Sequence, residues 1–296
     1  MYSNGKVFLI LFAGVFALST SAIFVKLADA PSSVIAFYRL LLAALILLPF
    51  LLCSRERRME VAAIRKSQWL RIAGAGLCLA LHYVLWFESL RFTSTASSTV
   101  IVCLQPLFSI LLERIALKRK TAPLALVGCG IALVGSFIIG FGDFRISGMS
   151  LLGDVLALVA AAVIALYFFL GQSVRREISA VTYSVLGYFT SAAALLVYTL
   201  LLGESFVGFS SQTWRSFAGL AVICTIGGQF VFNLLLKKVP ASAVTMSILG
   251  EPIGTCVLAY FILGEGVGAQ QLAGIAVIFA GLVLYFAATG KAAGKK

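Results

Sequence analysis

Long apolar runs alternate with short polar segments along the whole 296-residue chain. Each run approaches the roughly 20 residues that an α-helix needs to cross the hydrocarbon core of a bilayer. The pattern predicts ten membrane-spanning helices, numbered 1 to 10, at about 7–27, 33–53, 69–90, 95–113, 122–141, 150–172, 180–202, 214–236, 241–263 and 267–288. The intervening segments are too short for a soluble domain, so function is expected to lie within the membrane.

Composition also indicates an all-α integral membrane protein, since 61% of the residues are hydrophobic, 11% are charged and the mean hydropathy is +1.06. Soluble domains carry about 25% charged residues. The first apolar run follows Lys6 like a secretory signal, and Ala28-Asp29-Ala30 imitates a cleavage site. However, the run is longer than a usual signal core and Pro31 would hinder cleavage, so the run is predicted to be helix 1.

The net charge of +12 is carried mainly by short loops, without interleaved aromatic residues, which argues against a nucleic-acid partner. With a cytoplasmic N-terminus, sixteen cations fall on the cytoplasmic side and four on the other. The sixteen are Lys6, Arg55, Arg57, Arg58, Arg65, Lys66, Lys118, Arg119, Lys120, Arg175, Arg176, Lys237, Lys238, Lys291, Lys295 and Lys296; the four are Lys26, Arg91, Arg145 and Arg215. The positive-inside rule then predicts a multi-pass protein of the bacterial cytoplasmic (inner) membrane with both termini in the cytoplasm.

An internal repeat becomes visible when the chain is shifted by 146 residues. The shift aligns Gln105-Pro106 with Glu251-Pro252 and gives seven identities over 44 positions without a gap. It pairs helices 1–5 with helices 6–10, so the repeats are predicted to be residues 1–146 and 147–296. An odd number of helices forces the second copy to cross the membrane in the opposite sense. The predicted fold is therefore two inverted five-helix repeats with a site between them near the midplane.

Prolines interrupt predicted helices 4 and 9 at equivalent positions, Pro106 and Pro252. A proline bends a helix and frees a backbone carbonyl, which is tolerated only where neighbouring helices or water satisfy it. Both are therefore predicted to be gating or kink positions on the inner wall of a pathway. Their neighbours Gln105 and Glu251 are candidate substrate-binding residues, and Glu251 adds a titratable group. A plain kink with a protonated, hydrogen-bonded glutamate is the alternative.

Further polar residues suggest a binding cavity, because polar groups are costly inside a membrane and by default indicate function. On helix 3, His82, Tyr83 and Trp86 lie together and are predicted to line a cavity that accepts aromatic solutes. Helix packing with a satisfied histidine is the alternative, and His82 is also a candidate proton carrier.

Two amides on helix 8, Gln229 and Asn233, lie four residues apart on one face. They can bind a zwitterion or an amide without a permanent charge, or they can form an interhelical hydrogen bond. Tyr167 on helix 6 is a further candidate for substrate binding. Arg39 and Glu88 lie at similar depth on helices 2 and 3 and are predicted to form a structural ion pair; substrate carboxylate binding by Arg39 is the alternative.

Catalysis, metals and cofactors are not expected. The chain has a single histidine, no Ser/His/Asp set and no CxxC pair among its six dispersed cysteines, so catalytic and metal-binding residues are predicted to be absent. A sensory or structural protein would not need the internal repeat. A channel stays open as an alternative to a carrier, and the partners expected are a small-molecule substrate and the lipid bilayer, with a monomeric state as one option.

Four segments resemble the EamA-type ten-helix branch of the drug/metabolite transporter superfamily: PSSVIAFYRLLLAALILLP (31–49), ESLRFTSTASSTVIVCLQPLFSILL (88–112), GDVLALVAAAVIALYFFLGQSVRR (153–176) and ASAVTMSILGEPIGTCVLAYFILGE (241–265). The resemblance implies a secondary transporter that exports amino acids or related metabolites by alternating access, with YddG-like export of aromatic amino acids among the candidates. Multidrug or nucleotide-sugar transport is the alternative. The chain departs from the family at 116–120, where ALKRK replaces a Gly-Glu like Gly264-Glu265.

Overall fold

The computed structural model describes residues 4–93, 95–140, 148–263, 266 and 268–293. Within these ranges the ordered elements are all helical, and nine helices are long and apolar enough to span a membrane, with a tenth, helix 5, shorter. Helices 1 to 10 run Gly5–Leu27, Ser32–Leu52, Lys66–Phe92, Ser98–Leu117, Pro123–Ile139, Met149–Val174, Ala180–Leu201, Ser211–Leu235, Ala241–Ile262 and Ala269–Thr289. The predicted all-α membrane fold is therefore confirmed.

Four of these spans are interrupted. Helix 1 consists of Asn4–Ser19 and Ser21–Leu27, helix 4 of Thr95–Val102 and Gln105–Leu117, and helix 9 of Ala241–Ile248, Glu251–Leu258 and a π-helical end, Ala259–Leu263. Helix 8 consists of Ser211–Gly219, the π-helical segment Leu220–Phe230 and Val231–Leu235. A short helix, Arg55–Ala62, lies on the surface after helix 2. π-Helical turns, such as those in helices 8 and 9, often occur at functional sites.

The breaks in helices 4 and 9 occupy equivalent positions. Helix 4 is broken at residues 103–104 and helix 9 at residues 249–250, which are 146 residues further on. In each, the second segment begins with a Gln-Pro or Glu-Pro pair. Proline suits the first turn of a helix because the missing N–H would have no intrahelical partner there. The two prolines thus start new helical segments, as expected for the predicted kinks.

Helix packing follows the same two-fold relation. Helices 5 and 10, 2 and 7, and 4 and 9 pack as pairs. Three further large contacts repeat five helices away: 3 with 6 repeats as 8 with 1, 3 with 7 as 8 with 2, and 4 with 6 as 9 with 1. This symmetry is what an inverted repeat produces, and it puts the inner faces of both halves around one centre.

Helices 5 and 10 approach each other closely through glycines. A Cβ on Gly281 would lie 2.4 Å from the Ala132 nitrogen and 2.6 Å from the Gly128 oxygen, and a Cβ on Gly135 would lie 2.8 Å from the Gly274 oxygen. Small residues allow membrane helices to pack backbone against backbone in this way. The shift of 146 residues converts the Gly128–Gly281 contact into the Gly274–Gly135 contact, so the interface is itself symmetric.

Large apolar side chains cover the outside of the bundle. Leu9, Leu70, Leu201 and Phe261 are each at least 65% exposed, together with many others. A soluble monomer rarely exposes so much contiguous apolar surface. The exposed belt therefore faces lipid, which agrees with a multi-pass membrane protein.

Candidate functional site

Arg39 lies in the centre of the bundle, on helix 2, with 3% of its surface exposed. Its Nε donates to Thr225 Oγ1 on the π-helical segment of helix 8, and its Nη1 donates to Ser21 Oγ after the break in helix 1, each at 3.3 Å. The guanidinium also lies 5.0 Å from the centre of the Tyr83 ring, in a cation–π arrangement. Both helix irregularities thus present a hydroxyl to this arginine.

An aromatic row on helix 3 continues from Arg39. The His82 ring stacks on Trp86 at 6.2 Å, and Tyr83 stacks on Phe87 at 5.9 Å. His82 Nδ1 lies 3.0 Å from the Ala160 carbonyl on helix 6. Because a carbonyl only accepts, Nδ1 carries a proton, and Nε2 remains available on the other edge of the ring. The predicted trio of His82, Tyr83 and Trp86 is therefore brought together with Arg39.

Unpartnered polar atoms are concentrated on the residues selected from the sequence. Among the described residues, the buried Nη2 of Arg39, Nε1 of Trp86 and Nε2 of Gln229 have no hydrogen-bond acceptor, and Oε1 of Gln105 has no donor. Buried polar atoms are normally paired, so unpaired ones indicate a functional role or a missing ligand or water. Four of the eight such atoms belong to predicted site residues, and three of those four are donors.

Asn233 and Tyr167, in contrast, belong to a saturated network. Tyr167 donates to Asn233 Oδ1 at 2.9 Å, and Asn233 Nδ2 donates to Ser184 at 3.0 Å and Tyr188 at 3.3 Å. Asn233 is fully buried, and Gln229 lies beside Tyr167 at the edge of the network. Interhelical hydrogen bonds join helices 6, 7 and 8 here. For Asn233 this is the structural alternative to substrate binding. Substrate binding by Asn233 and Tyr167 stays a prediction.

Glu251 begins the second segment of helix 9, next to the centre. It is close enough to Arg39 and Tyr83 to interact with them electrostatically, but it makes no ion pair with Arg39. Its backbone carbonyl accepts a hydrogen bond from Ser19 at 3.0 Å, so the break in helix 9 is tied to helix 1. The one carboxylate near the buried guanidinium is therefore held at a distance from it, as far as the described residues show.

The predicted ion pair between Arg39 and Glu88 is wrong. Glu88 accepts from Arg91 at 3.0 Å and from Tyr198 at 2.9 Å, while Arg39 is bonded to Thr225 and Ser21. The two residues share a similar depth along their helices, but Arg39 faces helices 1 and 8 whereas Glu88 faces helix 7. Of the two interpretations, binding of a substrate carboxylate by Arg39 is the one still available.

A cavity of about 370 Å³, which we call the vestibule, lies between helices 2, 3 and 7 on the side of the bundle opposite the lysine- and arginine-rich loops. Val84 and Phe87 are its deepest members on helix 3, and its polar lining consists of Ser32, Ser33, Glu88, Arg91, Tyr198 and Glu204. Its helix ends lie opposite the lysine- and arginine-rich loops, which define the basic side of the bundle. The Tyr83–Phe87 stack separates the vestibule from Arg39.

On the basic side the two halves are clasped by a pair of carboxylates, which we name the basic-side latch (Glu60, Glu113, Ser179 and Ser242). Glu113 at the end of helix 4 accepts from the backbone N–H of Ser242 at 2.9 Å and from its hydroxyl at 3.0 Å, at the start of helix 9. Glu60 on the surface helix accepts from the N–H of Ser179 at 2.6 Å, at the start of helix 7. Each carboxylate of the first half thus caps a helix of the second.

The sequence pattern places Glu113 near the end of a helix and predicts only that its side chain caps the helix or snorkels to the membrane surface. Its side chain is 2% exposed, with an ion pair to Arg119 at 3.3 Å. The signal that was available is Pro240-Ala241-Ser242, a helix start that needs an acceptor for its first N–H groups. The partner, 129 residues away, could not be identified from that pattern.

The sequence profile of the EamA-like transporter family matches residues 5–141 and again residues 151–287. The chain belongs to this family. The starts and the ends of the two matches each differ by 146 residues, the displacement of the internal repeat, and the predicted boundary at 146/147 falls between them. The function of a transporter is thereby supported for this EamA-like protein.

Individual relatives agree with this assignment. An uncharacterized transporter of Archaeoglobus fulgidus is 24% identical over 88% of this chain and 91% of its own, and the uncharacterized transporter YwfM of Bacillus subtilis is 26% identical over 86% and 84%. A solved crystal structure superposes with a TM-score of 0.81 at 16% identity, covering 95% of this chain and 96% of that one. The two relatives support the transporter role and the solved structure supports the fold, whereas the YddG-like specificity stays a prediction.

Some expectations for this EamA-like chain fall outside the described residues: Arg145, Lys295 and Lys296 of the charge count, and Gly264-Glu265 of the family motif. Within the described ranges, no three His, Cys, Asp or Glu side chains are grouped so that they could hold a metal ion.

The amide network predicts different outcomes for two neighbouring substitutions. Asn233→Leu removes three interhelical hydrogen bonds and is expected to destabilise the protein by about 2 kcal/mol, since such bonds average about 0.6 kcal/mol each in membranes. Gln229→Leu, one turn earlier, removes an amide whose Nε2 is already unpartnered, and should cost clearly less. Thermal unfolding of the purified variants in detergent measures both. Equal losses of stability would contradict the network.

Proposed function

We propose that this EamA-like protein is a secondary carrier that exports small organic solutes, first of all amino acids, including aromatic ones. The proposal rests mainly on one observation, the set of unpartnered hydrogen-bonding atoms on Arg39, Trp86, Gln105 and Gln229 within the bundle. A solute with acceptor and donor groups would complete these bonds, and the aromatic row of helix 3 would bind an apolar or aromatic side chain. The proposal assigns no catalytic step to any residue.

Alternating access is supported by the symmetry of the two halves. The vestibule occupies the side opposite the basic loops, while the basic-side latch holds the other end. In an inverted repeat, exchanging the conformations of the two halves would open the basic side and close the vestibule. The broken helices 4 and 9 lie against each other and would move with that exchange. We infer that the basic side faces the cytoplasm, so that solutes load there and leave through the vestibule.

Counterflow in proteoliposomes tests the proposal. Vesicles loaded with an unlabelled solute should accumulate the same labelled solute transiently and saturably, because a carrier exchanges one bound molecule for another. The screen should include amino acids, drugs and nucleotide sugars, since multidrug or nucleotide-sugar transport is the alternative. Conductance without saturation would favour a channel, and absence of counterflow for every solute would reject the carrier.

A further inference from the structure

Among the residues that the structure describes, two arginines are buried, Arg39 and Arg175, and only Arg175 has an acceptor for each of its three nitrogens. Arg175 follows helix 6 on the basic side, where its Nε donates to the Asn233 carbonyl at 2.8 Å and its Nη1 donates to the Ile178 carbonyl. Its Nη2 reaches the Leu234 carbonyl at 3.5 Å. A cation at the carbonyl end of helix 8 is stabilised by the helix dipole and by these bonds. A structural role therefore accounts for Arg175.

Arg39 is held much more weakly. Its two hydrogen bonds are 3.3 Å long, beyond the usual 2.9–3.0 Å, and both acceptors are neutral hydroxyls. Nη2 is buried without a partner, and no carboxylate among the described residues forms an ion pair with the guanidinium. The face of Tyr83 offsets part of the cost of burying the charge. The Glu251 carboxylate acts on this guanidinium only from a distance, so the buried cation still has donors free to bind an anion directly.

The repeat does not require a cation at this position. The displacement of 146 residues carries Arg39 onto Val185, a buried residue of helix 7. Helices 2 and 7 pack as a symmetric pair, so the same architectural position is filled by an apolar side chain in the other half. The charge therefore belongs to a single, asymmetric site rather than to the packing of the repeat unit.

We propose that Arg39 is the anchor for a carboxylate of the transported solute. This inference rests on the proposed carrier function and names its substrate class: organic acids and zwitterions with a free carboxylate. A guanidinium presents parallel N–H groups that match the two oxygens of a carboxylate. Nη2 is free to donate, and the long Nη1–Ser21 bond can be exchanged. One guanidinium balances the single charge of a carboxylate, whereas a phosphate monoester brings about two charges.

The surroundings of Arg39 define how such a solute would lie. The side chain of the solute would rest against the aromatic row of His82, Tyr83 and Trp86, and the unpartnered Trp86 Nε1 adds a further donor. Passage to the vestibule requires the Tyr83–Phe87 stack to move, because Phe87 lines the vestibule and Tyr83 covers the guanidinium. Departure of the carboxylate and opening of the stack are thus coupled through the Tyr83 ring, which takes part in both contacts.

Matched acid and amide ligands test the anchor directly. In the wild-type protein, each amino acid of the screen should compete for counterflow at a concentration on the order of 10- to 100-fold lower than its carboxamide, for example phenylalanine against phenylalaninamide. The concentration of each ligand that is needed to raise the thermal midpoint of the purified protein should differ by the same factor. This range corresponds to hydrogen bonds to a charged group. Arg39→Gln should reduce the acid-to-amide ratio to near one, and Arg39→Lys should give an intermediate ratio. Arg215→Gln, an exposed cation on the vestibule side, is the matched control and should keep the wild-type ratio.

The outcomes separate the anchor from the carrier. If solutes show counterflow but no acid binds better than its amide in the wild type, the anchor is wrong and the carrier stands. The anchor is equally wrong if Arg39→Gln keeps the wild-type ratio. If no solute shows counterflow, the carrier is wrong, while the thermal comparison of acid with amide still decides the anchor. The wild-type comparison needs no variant, so it holds even if Arg39→Gln fails to fold.

Discussion

Gly281→Leu should yield almost no correctly folded protein. The glycine lies where helices 5 and 10 touch, and even a single Cβ would lie 2.4 Å from the Ala132 nitrogen and 2.6 Å from the Gly128 oxygen. Because both neighbours are backbone atoms, no rotamer change relieves the clash and the helices must separate. Overpacking costs about 1–3 kcal/mol where side chains can adjust, so the cost here should reach at least about 3 kcal/mol. The yield of monodisperse protein in size-exclusion chromatography measures it.

Gly130→Ala is the matched control on helix 5. A Cβ at that position meets no described atom within 4 Å, and alanine favours a helix over glycine. We therefore expect yield and thermal midpoint equal to those of the wild type or slightly higher. Gly281→Ala should already lower the yield and the midpoint. If Gly281→Ala behaved like Gly130→Ala, the backbone contact between helices 5 and 10 would not be as close as the structure has it.

The fold was accessible from the sequence because hydropathy and repetition are properties of the chain itself. A membrane helix needs about 20 apolar residues whatever it packs against, so the ten runs located the helices. The shift of 146 residues aligned Pro106 with Pro252, and the structure breaks helices 4 and 9 just before these pairs. Hydropathy did not show the π-helical segment 220–230, because its residues are as apolar as those of a regular helix.

The candidate site was accessible only in part, because sequence position gives depth along a helix but not the direction in which a side chain points. His82 and Trp86 were predicted to share one helix face with Tyr83 beside them, and in the structure the His82 ring stacks on Trp86 while Tyr83 stacks on Phe87. Arg39 and Glu88 share a depth, yet they face different neighbours. Their pairing depended on the packing of helices 2, 3, 7 and 8, which no local pattern encodes.

Glu113→Gln should open the basic side of the bundle. The carboxylate accepts two hydrogen bonds from Ser242 and caps the first segment of helix 9 while remaining 2% exposed. Losing such a cap costs about 2 kcal/mol at the upper end, which shifts a two-state equilibrium by about 30-fold. Thr245, one turn into helix 9, is fully buried behind the latch. A cysteine at 245, in a background without the six native cysteines, should react with a polar maleimide about 30-fold faster in Glu113→Gln.

Glu56→Gln is the matched control, since Glu56 is an exposed glutamate of the surface helix on the same side. Its labelling rate should equal that of the parent, and an equal rate in Glu113→Gln would contradict the latch. Arg119→Gln should accelerate labelling less than Glu113→Gln, because both hydrogen bonds from Ser242 to the Glu113 carboxylate remain. Ser242→Ala should accelerate labelling, and combining it with Glu113→Gln should add little further. That non-additivity is expected only if the glutamate acts through the start of helix 9, where it joins the two halves of the bundle.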